Sequence, residues 1–241
     1  MPEGYGQYCP LSLAAELLCR RWTVLVLSRV MEGCTRFNAI QRGLPRMSPS
    51  LLTRRLEELV GAGLIQARRP PNGRWREYHL TRAGEELRPL VYGMATWGQR
   101  WAREMSLEDL DPAFLVWSMH TRMHRAELPP GRTVVEFGFT GVPADLRTFW
   151  LVIEEREAEM CLKDPGYDVD LRVDADLRTF IEAWRGFRDF PTEIHAGRIR
   201  LSGPRELRQQ FPRWLQRHVL AGVPRERPGR ERRLWAATAA R

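Results

Sequence analysis

The residues of this 241-residue chain best suited to chemistry are arginines and hydroxyl side chains gathered in two short stretches. Ser48, Ser50, Thr53, Arg54 and Arg55 follow one another closely, and Arg68, Arg69, Arg74 and Arg76 surround Pro70-Pro71-Asn72-Gly73. A planar guanidinium forks two hydrogen bonds onto a phosphate or a guanine edge, and a hydroxyl gives or takes one, so the chemistry on offer is recognition of a polyanion. Bond-breaking constellations are missing from the sequence: no GxSxG nucleophile turn, no GxxxxGK[ST] phosphate cradle and no GxGxxG dinucleotide loop. His120 and His124 stand at helical i, i+4 spacing, but no HExxH glutamate lies between them, so neither a metal nor any other cofactor is expected. The chain is not expected to be an enzyme.

Charge narrows the partner. The net +8 is uneven: residues 1–105 carry +7 (16 arginines against 9 acids), residues 106–220 carry −3 (16 bases against 19 acids) and residues 221–241 carry +4 (6 arginines against 2 acids). A basic first part beside a mildly acidic second suggests that only the first meets a polyanion. An apolar fraction of 43% and a charged fraction of 28% are those of a folding, globular chain, long enough for two domains. No apolar run approaches the ~20 residues that cross a bilayer, and Met1-Pro2-Glu3-Gly4-Tyr5 lacks the basic-then-apolar start of a secretion signal, so a cytoplasmic protein with no membrane partner is expected. Cys9, Cys19, Cys34 and Cys161 form no CxxC pair and no zinc spacing, which argues against structural disulfides.

The elements that position the arginines follow from periodicity. Leu11–Leu18 and Trp22–Met31 read as two short helices closed by Gly33, and Phe37–Leu44 as a third, broken at Pro45. Ser48-Pro49 opens a helix in which Leu52, Leu56 and Leu59 share a core face, which turns Ser50 and Arg54 outward with Thr53 and Arg55 on the flanks. Leu64–Arg68 and Trp75–Leu80 read as a hairpin around Asn72-Gly73. Two helices across a tight turn, followed by a basic hairpin, make the order of a winged helix-turn-helix. Thr81 caps a further long helix, in which Leu87, Leu90, Met94, Trp97 and Trp101 recur at spacings of a two-heptad seam. The seam either joins two copies of the chain or packs on its own domain; two tryptophans exceed what so small a domain needs to cover, which favours the dimer.

Cys9-Pro10, Trp22-Thr23, Arg36-Phe37-Asn38, the run Ser48 to Leu56 and Tyr78-His79-Leu80-Thr81 closely resemble the HxlR-type winged-helix regulators over residues 9–104. The resemblance implies a transcription regulator, with repression the expected outcome, binding double-stranded DNA at a palindromic operator as a homodimer. It places Ser48, Ser50, Thr53, Arg54 and Arg55 on the recognition helix and Arg69 and Arg74 on the wing. It also includes Cys9, at a position where some relatives carry an oxidant-sensing cysteine; Arg20 and Arg21 are candidates for stabilising its thiolate, and an inert thiol is the alternative.

Beyond a connector helix at 105–130, opening at Asp111-Pro112, the pattern changes. Val134–Thr140, Phe149–Glu154, Glu157–Leu162, Asp168–Val173 and Arg198–Leu201 read as strands, and Leu177–Arg185 and Pro204–Val219 as helices. The expected fold class is therefore α+β: a winged helix-turn-helix in residues 1–104, then an α+β layer in 131–220 with helices on one face of a sheet. The run Asp168 to Leu177, with Gly186 and Gly197 to Gly203 downstream, resembles the sterol-carrier-protein-like fold over residues 131–218. That resemblance implies a space between sheet and helices for a small hydrophobic ligand, with Phe137, Phe139, Phe149, Trp150, Phe180, Trp184 and Phe187 as candidate pocket residues; the same aromatics could simply fill a core. A lipid carrier whose basic domain is incidental is the alternative function. Residues 221–241, rich in proline and arginine, are expected to form a mobile basic tail.

Overall fold

Helix α1 (Pro10–Leu18) begins on a proline, whose missing N–H costs nothing in a first turn, and α2 (Thr23–Met31) follows a reversal at Trp22. Trp22 holds a left-handed φ of 79°, rare for a bulky side chain, with the Arg21 guanidinium 5.6 Å from its ring. The computed structural model describes residues 4–70 and 75–227, in two compact units divided between Met94 and Ala95.

In the first unit α3 (Phe37–Arg42) buries Ile40, and α4 (Pro49–Gly61) buries Leu52, Leu56 and Leu59 on the face set by their spacing. The Ser48 hydroxyl caps α4 by accepting from the Leu51 N–H at 3.3 Å. Strands β1 (Ile65–Arg68) and β2 (Glu77–Leu80) pair antiparallel, with Ile65 opposite Leu80 and Arg68 opposite Glu77. A backbone bridge between Arg36 and Glu77, and a Tyr78 N–H donating to Thr35 O at 2.7 Å, tie this hairpin to the entry of α3. The long helix expected after Thr81 is instead two: α5 (Arg82–Glu86), capped by Thr81, and α6 (Arg88–Trp101). Pro89 explains the break, since it has no N–H to donate to the preceding turn. Gly84 of α5 lies so close to the hairpin that an added Cβ would sit 2.1 Å from Leu64 O.

The second unit is built on a five-stranded sheet of order β5-β4-β3-β6-β7, comprising β3 (Thr133–Thr140), β4 (Thr148–Glu154), β5 (Glu157–Cys161), β6 (Leu171–Asp176) and β7 (Ile199–Ser202). β3 runs parallel to β6 and every other pair is antiparallel. Alternation sends Val135, Phe137, Phe139, Leu151, Ile153, Leu171 and Val173 to one face, where they share a core with α7 (Pro112–His120), α8 (Leu177–Trp184) and α10 (Arg205–Trp214). The opposite face carries a charged cluster beside Val134, Trp150 and Val152: Glu136 stands across from Arg172 in the register and pairs with it at 2.9 Å, while Asp174 pairs with Arg172 at 3.1 Å. The α9 helix (Phe190–His195), capped by Asp189, was not anticipated from the sequence.

Four expectations shift. The 105–130 segment supplies Leu110, Leu115, Val116, Met119, Met123 and Leu128 to the core of this unit, so it is part of the domain rather than a connector. His120 ends α7 and His124 lies beyond it, which undoes their helical spacing. β6 runs three residues later than the 168–173 expected, because Asp170 is engaged at the strand entrance, its carboxylate accepting from the Val134 N–H at 2.8 Å. Helix α10 stops at Trp214 instead of Val219, since the chain turns extended at Leu215 and bridges Met123.

The tail also begins as structure. The Glu226 and Arg227 N–H groups donate to Arg100 O at 3.1 and 3.0 Å, and the guanidinium of Arg225 donates to Ala102 O at 2.7 Å, so this stretch closes the open carbonyls at the end of α6. Its residues from Pro228 onward lie outside the described residues.

Candidate nucleic-acid interface

Helix α4 carries Ser48, Ser50, Thr53 and Arg54 exposed to solvent. Ser48 and Ser50 hydroxyls lie 3.3 Å apart, and the Thr53 hydroxyl donates back to Pro49 O at 3.1 Å. Arg54 and Arg55 are neighbours in sequence with opposite fates. The Arg54 side chain is 68% exposed and among the described residues makes an i, i+4 contact alone, its Nε donating to Glu58 Oε1 at 3.1 Å. The Arg55 side chain is 14% exposed; its Nε donates to Arg21 O at 3.0 Å and its Nη1 to Glu58 Oε2 at 2.6 Å. Arg55 therefore braces α4 against the turn before α2, which leaves less of its guanidinium free than that of Arg54. Glu58 is the shared anchor, with Arg20 at 3.7 Å. Partial desolvation pushes its carboxyl up, but the Arg55 hydrogen bond and charge, with Arg54 and Arg20, more than reverse this and hold it below its ordinary value.

On the hairpin, Arg68, Arg69 and Arg76 are exposed, and Arg74 lies outside the described residues. Beside them is a hollow of about 540 Å³ whose lining includes Arg36, Asn38, Arg42, Trp75 and Arg76. Arg36, Asn38, Arg42 and Trp75 were not among the candidate residues. Only the pairing of Thr35 and Arg36 with the hairpin brings them to it, a long-range contact that local periodicity does not reveal.

Of the seam residues, Leu90, Met94, Trp97 and Trp101 stand on α6 largely exposed, Trp97 at 63%, and Leu87 is half-buried in the break before it. Cys9 is exposed at the start of α1. The backbone N–H of Ser12, then that of Leu11, lowers its thiol from the ordinary value without closing a capping hydrogen bond. Of the two arginines considered as its partners, Arg20 donates to Glu16 O at 2.9 Å and Arg21 stands 5.6 Å from the Trp22 ring centroid.

The aromatic candidates of the second unit separate. Phe137, Phe139, Phe149 and Phe180 are buried against one another, with ring centroids 5.5 to 6.4 Å apart, so they fill the core rather than line a space. Trp150 and Phe187 are half-buried. Trp184 alone of the seven lines a cavity described below. Among the described residues no group of three or more His, Cys, Asp or Glu could hold a metal, and no helix is long and apolar enough to cross a membrane.

Comparison with known proteins agrees with the first unit's geometry. The HxlR-like helix-turn-helix family model matches residues 17–106, which include α2 through α6. An HTH-type transcriptional regulator of Bacillus subtilis, YvaP, is 32% identical over 112 residues, 46% of this chain and 96% of that protein. One from Synechocystis, sll1512, is 34% identical over 104 residues, 43% of this chain and 77% of its own. A third, from Methanothermobacter thermautotrophicus, is 34% identical over 92 residues, 38% of this chain and 70% of its own. These relatives are transcription regulators, not enzymes, and the first is 32% identical with 96% of its length matched: the chain belongs to the HxlR-like helix-turn-helix family.

Proposed function

We propose that the protein is a DNA-binding transcription regulator that sets α4 in the major groove and lays the β1–β2 wing along the phosphate backbone. One observation carries this: a leucine-backed helix shows solvent a front of Ser50, Thr53 and Arg54, in the same unit as a hairpin bearing exposed Arg68, Arg69 and Arg76. Arg54 is the residue with reach to a guanine edge, and the wing arginines are phosphate contacts. Arg55 supports them by fixing α4. The test is footprinting of the full chain on the DNA upstream of its own gene, with titration against a scrambled duplex. A protected, salt-sensitive site is expected. Equal affinity for both duplexes overturns the reading, and a lipid carrier leaves no footprint.

The same reading includes a homodimer joined by a second copy across Leu90, Met94, Trp97 and Trp101, large apolar side chains left 45 to 63% exposed along one helix. A two-fold dimer reads a palindromic operator with half-sites about one helical turn, roughly 34–36 Å, apart, and represses by occluding the promoter. Trp97→Ala and Trp101→Ala should shift the dimer towards monomer by about 2 kcal/mol or more, with folding of the single chain little changed. An unchanged dimer by light scattering refutes the seam. Cys9, exposed and with a lowered thiol pKa, is read as the oxidant-sensitive group. Cys9→Ser should abolish any effect of peroxide or quinone on DNA affinity, and a wild type indifferent to both refutes that role. The second unit is read as the sensing module, sterol-carrier-like; its helices on one face of a mixed sheet support this.

A further inference from the structure

Gln99 of α6 is only 1% exposed, an unusual place for an amide. Its Nε2 donates to Arg185 O at 3.3 Å and Leu220 O at 3.4 Å, while its Oε1 accepts from Arg185 Nη2 at 2.5 Å. Arg185, just past α8, places its guanidinium 4.7 Å from the Phe187 ring centroid. Among the described residues no carboxylate forms an ion pair with it; the nearby Glu182 is taken by Arg188 at 2.7 Å. Burial first, then the neighbouring charge of Arg225, lowers the Arg185 pKa, with Glu182 opposing. A half-buried guanidinium with no carboxylate paired to it is poorly compensated, and a ligand that brings a negative charge onto it recovers part of that cost on binding.

Space for such a ligand is present. A cavity of about 440 Å³ is lined by Gly98, Gln99, Phe114, Ser118, Trp184 and Arg185 among others, all in the second unit. That volume is in the range of small-molecule sites, roughly 300–1,000 Å³, and the lining sets Phe114, Trp184 and the aliphatic Leu115, Ile181 and Leu220 beside the polar Gln99, Ser118, Arg185 and His218. We propose that this cavity binds an organic monocarboxylate, its apolar body against Phe114 and Trp184 and its carboxylate on the Arg185 guanidinium beside Gln99. A neutral lipid would leave Arg185 uncompensated. A dianion such as a phosphate ester would face Asp109 and Asp111, which also line the cavity. Both of these carboxylates are already engaged, Asp109 by Arg103 and Asp111 by the Phe114 N–H at 3.0 Å. The inference names the ligand class of the sensing unit proposed above, and takes its regulatory meaning from that reading.

The experiment is calorimetric titration of the full chain with octanoate, octanamide and inorganic phosphate. Octanoate should bind saturably, octanamide about tenfold or more weaker as expected for loss of hydrogen bonds to a charged partner, and phosphate not at all. Arg185→Met should bring octanoate down to the affinity of octanamide. Gly98→Leu supplies an independent arm: Gly98 lines the cavity and an added Cβ there meets no atom within 4 Å, so a larger side chain is accommodated at the cavity wall without a backbone clash, and both ligands should be weakened while Arg185 stays. No saturable octanoate binding, equal affinity for octanoate and octanamide, or octanoate binding indifferent to Gly98→Leu each overturns the proposal. Footprinting is read separately: a protein that protects DNA but ignores octanoate refutes this site alone, and one that binds octanoate without protecting DNA refutes the DNA reading alone.

Discussion

The two units use the same residue type in opposite ways. In the first, Arg54, Arg68, Arg69 and Arg76 stand in solvent on a helix front and a hairpin, while Arg55 and, away from that front, Arg29 are drawn inward onto Glu58 and Glu32. In the second, Arg172 bridges Glu136 and Asp174 across the open sheet face, Arg198 and Arg188 converge on the buried Glu193, and Arg185 is tied to Gln99. An exposed guanidinium keeps its donors for a partner, whereas an engaged one holds the fold. The difference teaches that arginine count says little about binding until each fork has been followed to its acceptor.

The largest effect expected from breaking this contrast lies in the cores beneath. Phe180 is fully buried, its ring meeting Phe137, Phe139 and Phe190 at 5.3 to 6.1 Å, and Phe180→Ala should cost the second unit about 3–5 kcal/mol. Leu56→Ala, beneath the α4 front and 1% exposed, should cost the first unit about 2–4 kcal/mol. Urea unfolding followed at both units checks the pair. A loss under about 1 kcal/mol at either position means that its core is not packed as described.

Next come the adjacent arginines of α4, where one residue separates binding from bracing. Arg55→Ala should lower thermal stability by about 1–3 kcal/mol, since it removes the shortest partner of Glu58 and the donor to the Arg21 carbonyl. Arg54→Ala should leave stability within about 0.5 kcal/mol and cost about 1–3 kcal/mol of discrimination between cognate and scrambled duplexes. Melting curves and duplex titrations on both variants decide it. If Arg54→Ala destabilises the fold as much as Arg55→Ala, the division between them fails.

How much of this was legible follows the same division. The α4 cap, its leucine face and the hairpin were readable because Ser48-Pro49, the 3–4 spacing and Asn72-Gly73 act within a few residues of themselves. The inward turn of Arg55 was not, because Arg21 O lies 34 residues away in the chain. In the second unit the strand set was legible from alternation, but whether its aromatics enclose a ligand or a core was not: Phe137, Phe139 and Phe180 are apolar in pattern in either case, and of the seven Trp184 lines the cavity at Gln99. The cavity at Gln99 depends on Arg185 and Leu220, 86 and 121 residues distant, and on a helix read in the sequence as a property of the first domain.

The smallest effect concerns pH. Glu193 is 5% exposed and accepts from Arg198 Nε at 2.5 Å and Nη2 at 3.0 Å. The Arg198 hydrogen bond, opposed by desolvation and aided by the charges of Arg198 and Arg188, holds its carboxyl below the ordinary value. A carboxylate with a depressed folded pKa stabilises fully above its unfolded value, near 4.3, and that stability is lost as pH falls through the lower folded value. Because Arg198 is half exposed, solvent screening limits the gain, and Glu193→Gln should cost about 1 kcal/mol at neutral pH. The variant should also show a shallower loss of stability between about pH 4.5 and pH 2 than the wild type. Parallel acid limbs in urea midpoints against pH would show that Glu193 carries no share of it.

The closure of α6 by residues 225–227 sets a limit on how this chain can be cut, tagged or recombined. A version shortened before Leu220 would remove an acceptor of the buried Gln99 amide, and with it the donors that meet Arg100 O and Ala102 O. Exchange of the second unit with that of another protein would have to carry Ala95–Trp101 and the stretch through Arg227 together, because the two interlock as donor and acceptor. A crossover placed at residue 104, where the regulator motif ends in the sequence, would leave one partner's carbonyls and the other's N–H groups each without a mate. The heritable module is thus bounded inside a helix, not at its end.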